Sequence, residues 1–441
     1  MKKKQNLVFF FADQQRADTI GVYGQRLPVT PNLDSLAQEG VVYESAFTCQ
    51  PVCGPARGCL QSGLYSTQCG CIVNGDRLNP QLETLAKVLN NNGYQTAYVG
   101  KWHLASDTKK GLDFVHSAVP EEYRGGYKYW RAADVLEMTS HGYNGYIFGN
   151  DCERYDFVGY RADCITDFAI EYLHNRDKNR PFMLFLSHIE PHHQNDRNRF
   201  EGPDGSKGKW NNYDVPQDLL LGQYEGDWKE NYPDYLGQCN SLDYNLGRII
   251  DTLKSEGVYN DTTVIYTSDH GCHFRTRDGE YKRMCHDSCL HIPLIIKGRD
   301  FEKGVRDERL VSLINLPATV LRACDAPVPS NWAEKALQDN ENSEFVYYEI
   351  SEIYGNSTGR GIRTKRYTYS VLHKNSNEKD TDRLSYVDWF LYDNENDPYQ
   401  SNNLINDTNY AAVRQELCEM LSKKLFEIEG IKPNIKRSRQ I

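Results

Sequence analysis

Four short segments of the chain bring together residue types that bind cations, hold anions and move protons. Asp13-Gln14 closes an apolar run with two oxygen-bearing side chains, a pair suited to a hard cation such as Ca²⁺. Asp after a strand is also an ordinary turn residue, so this pair alone decides nothing. The second segment is Cys53-Gly54-Pro55-Ala56-Arg57, trailed by Gly58-Cys59-Leu60-Gln61-Ser62-Gly63. Pro just inside a helix start places Cys53 at the helix N-terminus, where unpaired N–H groups and the helix dipole stabilise an anion. The bland alternative is a buried cysteine ahead of a capped helix. Gly100-Lys101-Trp102-His103-Leu104 supplies a fixed positive charge and an imidazole, and Ser268-Asp269-His270-Gly271 supplies a carboxylate and an imidazole as further metal ligands. Pro191-His192-His193 and Lys282 add basic groups. Any one of these histidines reads as structural; so many strand-end basic and ligand-type groups in one chain do not reduce to packing.

Short apolar runs must position these groups. Leu7–Ala12, Tyr94–Val99, Phe182–Ser187, Thr263–Thr267 and Pro293–Ile296 have the length and the β-branched or aromatic content of buried strands. Several site segments follow such a run directly, at the end of the strand where open α/β sheets keep their ligands. Helices are predicted at Asn32–Gln38, Leu82–Asn91, Arg161–His174, Tyr235–Leu253 and Leu316–Cys324. Residues from about Arg197 to Tyr232 lack periodicity and read as a long surface insertion. Beyond about residue 340, Phe345–Ile350, Gly361–Leu372 and Asp388–Tyr392 read as antiparallel strands and Tyr410–Phe426 as a helix. This divides the chain into a catalytic unit, 1–340, and a smaller C-terminal unit, 341–441.

At 441 residues the chain holds two to four domains' worth of sequence, or one large α/β unit with an appendage. A net charge of −10 without a block of like charge argues against nucleic acid as the main partner. No apolar run approaches the length of a membrane span. Lys2-Lys3-Lys4 resembles the start of a secretory leader, but the run after it ends at Asp13 and reads as a strand, so the expectation is a cytoplasmic protein. On that expectation the thirteen cysteines are mostly reduced, buried thiols.

With these motifs in place, the chain resembles the formylglycine-dependent (type I) sulfatases of the alkaline-phosphatase superfamily, from Asn6 to about Leu425. The resemblance rests on C-x-P-x-R at Cys53–Arg57 with its trailing Gly, on Gly100–Leu104 and Ser268–Gly271, and on Leu391-Tyr392-Asp393, Asp397-Pro398 and Asn403-Leu404. It implies an α/β fold: a large mixed sheet sandwiched by helices, with a smaller antiparallel sheet plus helix at the C-terminus. It also implies that a formylglycine-generating maturase oxidises Cys53 to formylglycine, whose hydrated aldehyde is the nucleophile. Asp13, Gln14, Asp269 and His270 would hold one Ca²⁺ with an oxygen of residue 53. Arg57, Lys101 and His103 would orient the hydrate, and His192 and Lys282 would grip the sulfate ester. The chemistry is coherent. A sulfate ester repels nucleophiles, and a divalent ion with Arg57, Lys101 and Lys282 offsets that charge. His192 is the candidate acid for the leaving alkoxide, with His193 beside it as the alternative.

Some positions depart from the commoner pattern. Gln14 replaces a frequent second Asp and His270 a frequent Asn, as in choline-sulfatase-like and phosphonate-monoester-hydrolase-like relatives, which keeps those reactions in play. Asp287-Ser288-Cys289-Leu290-His291 carries His291 where Arg is common. A small sulfated saccharide is the expected substrate, since Glu190–Arg197 is rich in hydrogen-bonding groups; Trp210, Tyr213 and Trp228 of the insertion either stack on sugar faces or pack the insertion against the domain, and packing is at least as good a reading for each. The competing readings are a phosphonate monoester or phosphodiester hydrolase, and a sulfated-ligand-binding protein in which Cys53 stays a thiol.

Overall fold

A computed structural model describes residues 4–355, 357–373, 385–430 and 432–437. Lys2 and Lys3 lie outside them. Sixteen strands are described: β1 (Asn6–Ala12), β2 (Val41–Phe47), β3 (Gln95–Lys101), β4 (Tyr129–Ala133), β5 (Ser140–His141), β6 (Asn144–Gly149), β7 (Arg154–Val158), β8 (Phe182–Ser187), β9 (Thr262–Ser268), β10 (Leu294–Lys297), β11 (Val305–Ser312), β12 (Phe345–Ile353), β13 (Ser357–Thr364), β14 (Tyr367–His373), β15 (Ser385–Asp393) and β16 (Asn434–Lys436). The first eleven form one mixed sheet, ordered β11-β2-β10-β9-β1-β8-β3-β4-β6-β5 with β7 on β6. Its centre, β9-β1-β8-β3-β4, is parallel, and antiparallel pairs flank it on both sides.

Strand β1 is buried along its whole length, as a strand covered on both faces must be. Phe9 and Phe11 point to one face, where Phe9 stacks on Phe185 of β8 with ring centroids 4.7 Å apart. Val8 and Phe10 point to the other, against the helices Arg161–Asn175 and Trp228–Ser255. The alternation follows from the two-residue period of a strand, and each buried Phe contributes about 1.5–3 kcal/mol.

A second sheet runs β12-β13-β14-β15-β16, with the helix Ala411–Glu429 packed near it. The sequence expectation of an antiparallel sheet holds for its first four strands; β16 joins β15 in parallel. Gly361–Leu372 is two strands rather than one, because the chain turns at Lys365-Arg366 between β13 and β14. The insertion is also less irregular than its composition suggests. It contains the short helices Ser206–Lys209 and Gln217–Leu220, and its last residues open the helix Trp228–Ser255. Pro233 hid that start, since proline inside a helix forfeits an N–H bond. Trp210 and Trp228 are buried beside Phe200, Tyr232 and Phe274, with Tyr213 packed partly against them, so the tryptophans build the insertion's core and are not sugar platforms.

Candidate active site

The carboxyl ends of adjacent strands converge on one point. Asp13 follows β1, Lys101 ends β3, His192 lies in the loop after β8, and Asp269 and His270 follow β9. Gly100 makes the turn into Lys101 possible: its φ is +107°, and a Cβ there would lie 1.9 Å from the Ser187 carbonyl oxygen. Cys53 is the first residue of the helix Cys53–Ser62, as its sequence implied. Pro55 sits in the first turn, where its missing N–H costs nothing, and the helix ends at Gly63 (φ +67°), whose amide donates to the Cys59 carbonyl. The free amide of Gly54 donates to Asn74 Oδ1 at 3.0 Å.

Around the Cys53 Sγ stand Lys282 Nζ at 2.6 Å, His270 Nε2 at 3.3 Å and Asp13 Oδ1 at 3.4 Å. Burial opposes ionisation of this thiol, but Lys282, Lys101, His270 and a hydrogen bond from His103 together hold it well below the usual thiol range. Asp13 accepts from Arg57 Nη2 at 3.0 Å and pairs with Lys101 Nζ at 2.8 Å. Burial and Cys53 push the Asp13 carboxyl up, and Lys101, His192 and Arg57 outweigh them, so it stays ionised. Lys101 also pairs with Glu137 at 3.1 Å. Burial works against the Glu137 carboxylate, yet Lys101, His192 and His103 bring it down to about 2.

The two adjacent histidines are separated by geometry. His192 Nε2 lies 3.3 Å from Lys282 Nζ, and its Nδ1 meets the His193 carbonyl at 2.6 Å, which fixes the ring. The His193 ring packs on Tyr281, centroids 4.4 Å apart, and burial drives its pKa down to about 4. His192 therefore faces Lys282 in the cleft, while the His193 ring is taken up by its packing on Tyr281. His291 is structural as well: it is buried, with Nε2 at 2.9 Å from the Glu44 carbonyl.

Asp13, Cys53, Asp269 and His270 present ligand atoms all within 4.8 Å of one another. Asp269 Oδ2 is buried with no hydrogen-bond partner, while Oδ1 accepts the amides of Gln14 and His270 at 2.9 and 2.8 Å. Burial and the neighbouring Asp13 push the Asp269 carboxyl up. A buried carboxylate oxygen without a hydrogen bond, its nearest charge partner Arg57 Nη2 at 3.6 Å, beside a second carboxylate fits a divalent cation. Gln14 reaches the same place by backbone: its φ is +71°, and its side-chain nitrogen rests on Cys272 Sγ at 3.5 Å.

All ten site residues expected from the sequence thus meet at one place. A cleft of about 380 Å³ opens over it, lined by Gln14, Cys53, His103, His192 and Lys282. Sequence reasoning missed Asn74 and Glu137, which also line the cleft. Neither sits in a motif, and Glu137 is recognisable only once Lys101 is seen to need a second counter-charge. A larger cavity, about 520 Å³, lies under the helix Ala411–Glu429, where the charges of Lys424 and Glu334 satisfy each other.

A buried thiol flanked by fixed cations and a metal-type cluster, on an alkaline-phosphatase-like sheet, defines a hydrolase of anionic esters. Comparison with known families resolves which one. The sulfatase family model matches residues 5–326, and the model for the N-sulphoglucosamine sulphohydrolase C-terminal region matches residues 279–427. The chain belongs to the sulfatase family, type I, and is a sulfuric ester hydrolase. It is 28% identical to an ulvan-active sulfatase of Formosa agariphila, across 96% of this chain and 82% of that protein. It is 24% identical to an N-acetylglucosamine-6-O-sulfatase of Bacteroides thetaiotaomicron, across 99% and 89%. A crystal structure of a Bacteroides fragilis protein assigned as a sulfatase superposes with a TM-score of 0.84 at 26% identity, covering 97% of both chains.

Proposed function

We propose that this enzyme removes sulfate from a small sulfated carbohydrate, using Cys53 after its conversion to formylglycine and one Ca²⁺. The observation that carries the reading is the convergence of Lys282, His270 and Asp13 on the Cys53 Sγ. Once formed, a formylglycine hydrate at residue 53 would offer one hydroxyl oxygen as nucleophile and a second hydroxyl whose deprotonation would let sulfate depart by C–O cleavage. Asp13, Asp269 and His270, with Gln14 beside them, would hold the Ca²⁺, which would supply a positive charge to offset that of the ester oxygens.

The chain's own groups do the rest. Lys282 and His192 hold the ester at the mouth of the site, and His103, hydrogen-bonded to residue 53, orients the attacking group. Arg57, through Ser187 Oγ at 2.7 Å and the Lys101 carbonyl at 3.0 Å, keeps Asp13 aimed at the centre. Lys101 keeps residue 53 and Asp13 in a field of net positive charge, which lowers the cost of bringing a sulfate dianion-like transition state into a dry site. His192, its Nδ1–H committed to the His193 carbonyl, protonates the leaving sugar oxygen from Nε2. The sulfated-sugar substrates named for the two relatives support a carbohydrate as the leaving group.

The test is the mass of the Cys53 peptide from the native host, followed by sulfate and phosphate release from sulfated sugars and phosphonate monoesters. An aldehyde at residue 53 with sulfate release is the expected result. A thiol in every active preparation removes the mechanism, and faster phosphonate cleavage removes the sulfated-sugar assignment.

A further inference from the structure

The cleft over Cys53 does not end at its own rim. Gly279, Glu280 and Arg283 line it and also line a second cavity of about 530 Å³ on the far side. Two tyrosines wall that second cavity, Tyr224 and Tyr354, and both are exposed, at 59% and 65%. Large aromatic surface left in water beside a catalytic cleft is unusual enough to need a reason, and a sugar ring, apolar on its C–H face, is a fitting partner for it.

Both tyrosines are held in place. The Tyr224 loop is clamped onto the segment before Lys282: a Cβ on Gly222 would lie 2.4 Å from Thr276 Cβ, one on Gly226 would lie 2.3 Å from the Phe274 carbonyl oxygen, and the Tyr224 amide donates to the Thr276 carbonyl. Tyr354 follows a register shift between Ile350 and Ile353 in the β12–β13 pair, where Glu352 (φ +59°) and Tyr354 (φ +46°) take a left-handed conformation. Such bulges re-aim a side chain, and strained backbone of this kind concentrates at ligand clamps. Tyr354 is further braced by Trp389, ring centroids 6.3 Å apart.

The charges of the second cavity select its occupant. Asp278, Glu280 and Glu352 line it with only Arg283 to oppose them, and Arg283 is engaged by Glu280 at 2.9 Å and Glu352 at 3.2 Å. A carboxylate or second sulfate placed there would meet like charge. From the continuity of the two cavities, the held tyrosines and this charge balance, we infer that the second cavity is a subsite for the adjoining, uncharged sugar unit of an oligosaccharide. The sulfated unit occupies the Cys53 cleft, and its neutral neighbour stacks on Tyr224 and Tyr354. The inference rests on the carbohydrate reading above.

The experiment compares kcat/KM for sulfate release from monosulfated galactose and N-acetylglucosamine with the same units linked to a neutral hexose or to a uronate. It uses the matured full chain and the variants Tyr224→Ala and Tyr354→Ala. Both side chains are exposed, so the variants are expected to fold. For the wild type, the neutral disaccharide should exceed its monosaccharide by about tenfold and exceed the uronate-linked one. Each tyrosine variant should lower the disaccharide-to-monosaccharide ratio several-fold. A ratio near one in the wild type, a ratio that both variants preserve, or a preference for the uronate overturns the subsite while leaving the sulfatase reading intact. Sulfate release from none of the sugars overturns the carbohydrate reading itself.

Discussion

At the scale of single residues, the site separates groups that carry charge from groups that carry protons. Lys101, Arg57 and Lys282 stand as cations around Cys53, and on the proposed mechanism His192 gives the proton to the departing oxygen. His192→Gln keeps a polar side chain of similar reach but cannot protonate. Its effect should depend on the leaving group: about 10²- to 10⁴-fold lower kcat for an alkyl sugar sulfate, and much less for an aryl sulfate whose phenolate leaves unaided. Equal losses on both substrates would assign the acid elsewhere. Asp269 gives a second test. Asp269→Asn retains an Oδ1 able to accept the Gln14 and His270 amides and removes the charge that crowds Asp13. Without calcium the variant should be at least as stable as the parent. With calcium at a hundred times its Kd the parent should gain about 2.7 kcal/mol and the variant little, read as shifts in thermal midpoint. An equal calcium response in both proteins removes Asp269 from the metal site. These residues were legible because each lies in a motif whose chemistry has few other uses. Glu137 and Asn74 were not, since an isolated Glu or Asn acquires its role only from neighbours brought by other strands. The role of the insertion's aromatics stayed open between stacking and packing for a related reason: the sequence shows where a Trp is but not which way it faces, and the insertion uses Trp210 and Trp228 for its own core.

At the scale of elements, β1, β8, β9 and β3 set the geometry, and their apolar runs are visible in the sequence. The strands of this sheet that escaped notice, β2, β4 through β7 and β11, lie outside its β10-β9-β1-β8-β3 run, and half-exposed residues break up their apolar runs, as they do in β16 of the second sheet. The helix after Thr84 starts at Leu85 rather than Leu82 because the Thr84 hydroxyl caps it, accepting the Lys87 amide. The end of β8 carries a consequence for acid stability. His188 sits under Phe10 and beside Thr166, fully buried, and burial with the nearby Arg161 takes its pKa from 6.5 down to about 3. Unfolded, the same imidazole binds a proton readily, so the unfolded chain holds more protons between those values. The contribution of neutral His188 to stability is complete above pH 6.5 and is lost progressively as the pH falls toward 3. Urea midpoints measured from pH 7 to pH 4 should fall less steeply for His188→Gln than for the parent. Parallel profiles would place the acid sensitivity in other buried histidines, such as His286.

At the scale of the whole molecule, the second sheet grips the segments that carry the chemistry. The amide of Glu349 in β12 donates to the Cys49 carbonyl at 2.9 Å, and its carboxylate accepts from the Ser66 hydroxyl and from the Thr67 hydroxyl and amide. These contacts bracket the helix Cys53–Ser62. Arg363 of β13 pairs with Asp287 at 2.8 Å, and Arg277 donates to the Tyr399 and Gln400 carbonyls, so the stretch around Lys282 is fastened from the same side. Tyr347 meets Tyr65 edge to face at 5.0 Å, within a core that draws buried residues from both sheets. A chain ended at residue 340 would lose all of these partners at once, leaving Asp287 and the Cys49 carbonyl unpaired and a broad apolar face in water. It should be insoluble, or bind hydrophobic dyes without a cooperative transition, and show no calcium-dependent rise in midpoint. Glu349→Gln probes the same grip gently: the amide retains one acceptor oxygen where the carboxylate uses two, and should cost about 1–3 kcal/mol of stability. A soluble 1–340 fragment with cooperative unfolding and a calcium response would show that the first sheet builds the site alone. In that case the second sheet would serve the substrate, through Tyr354 and Glu352, rather than the fold.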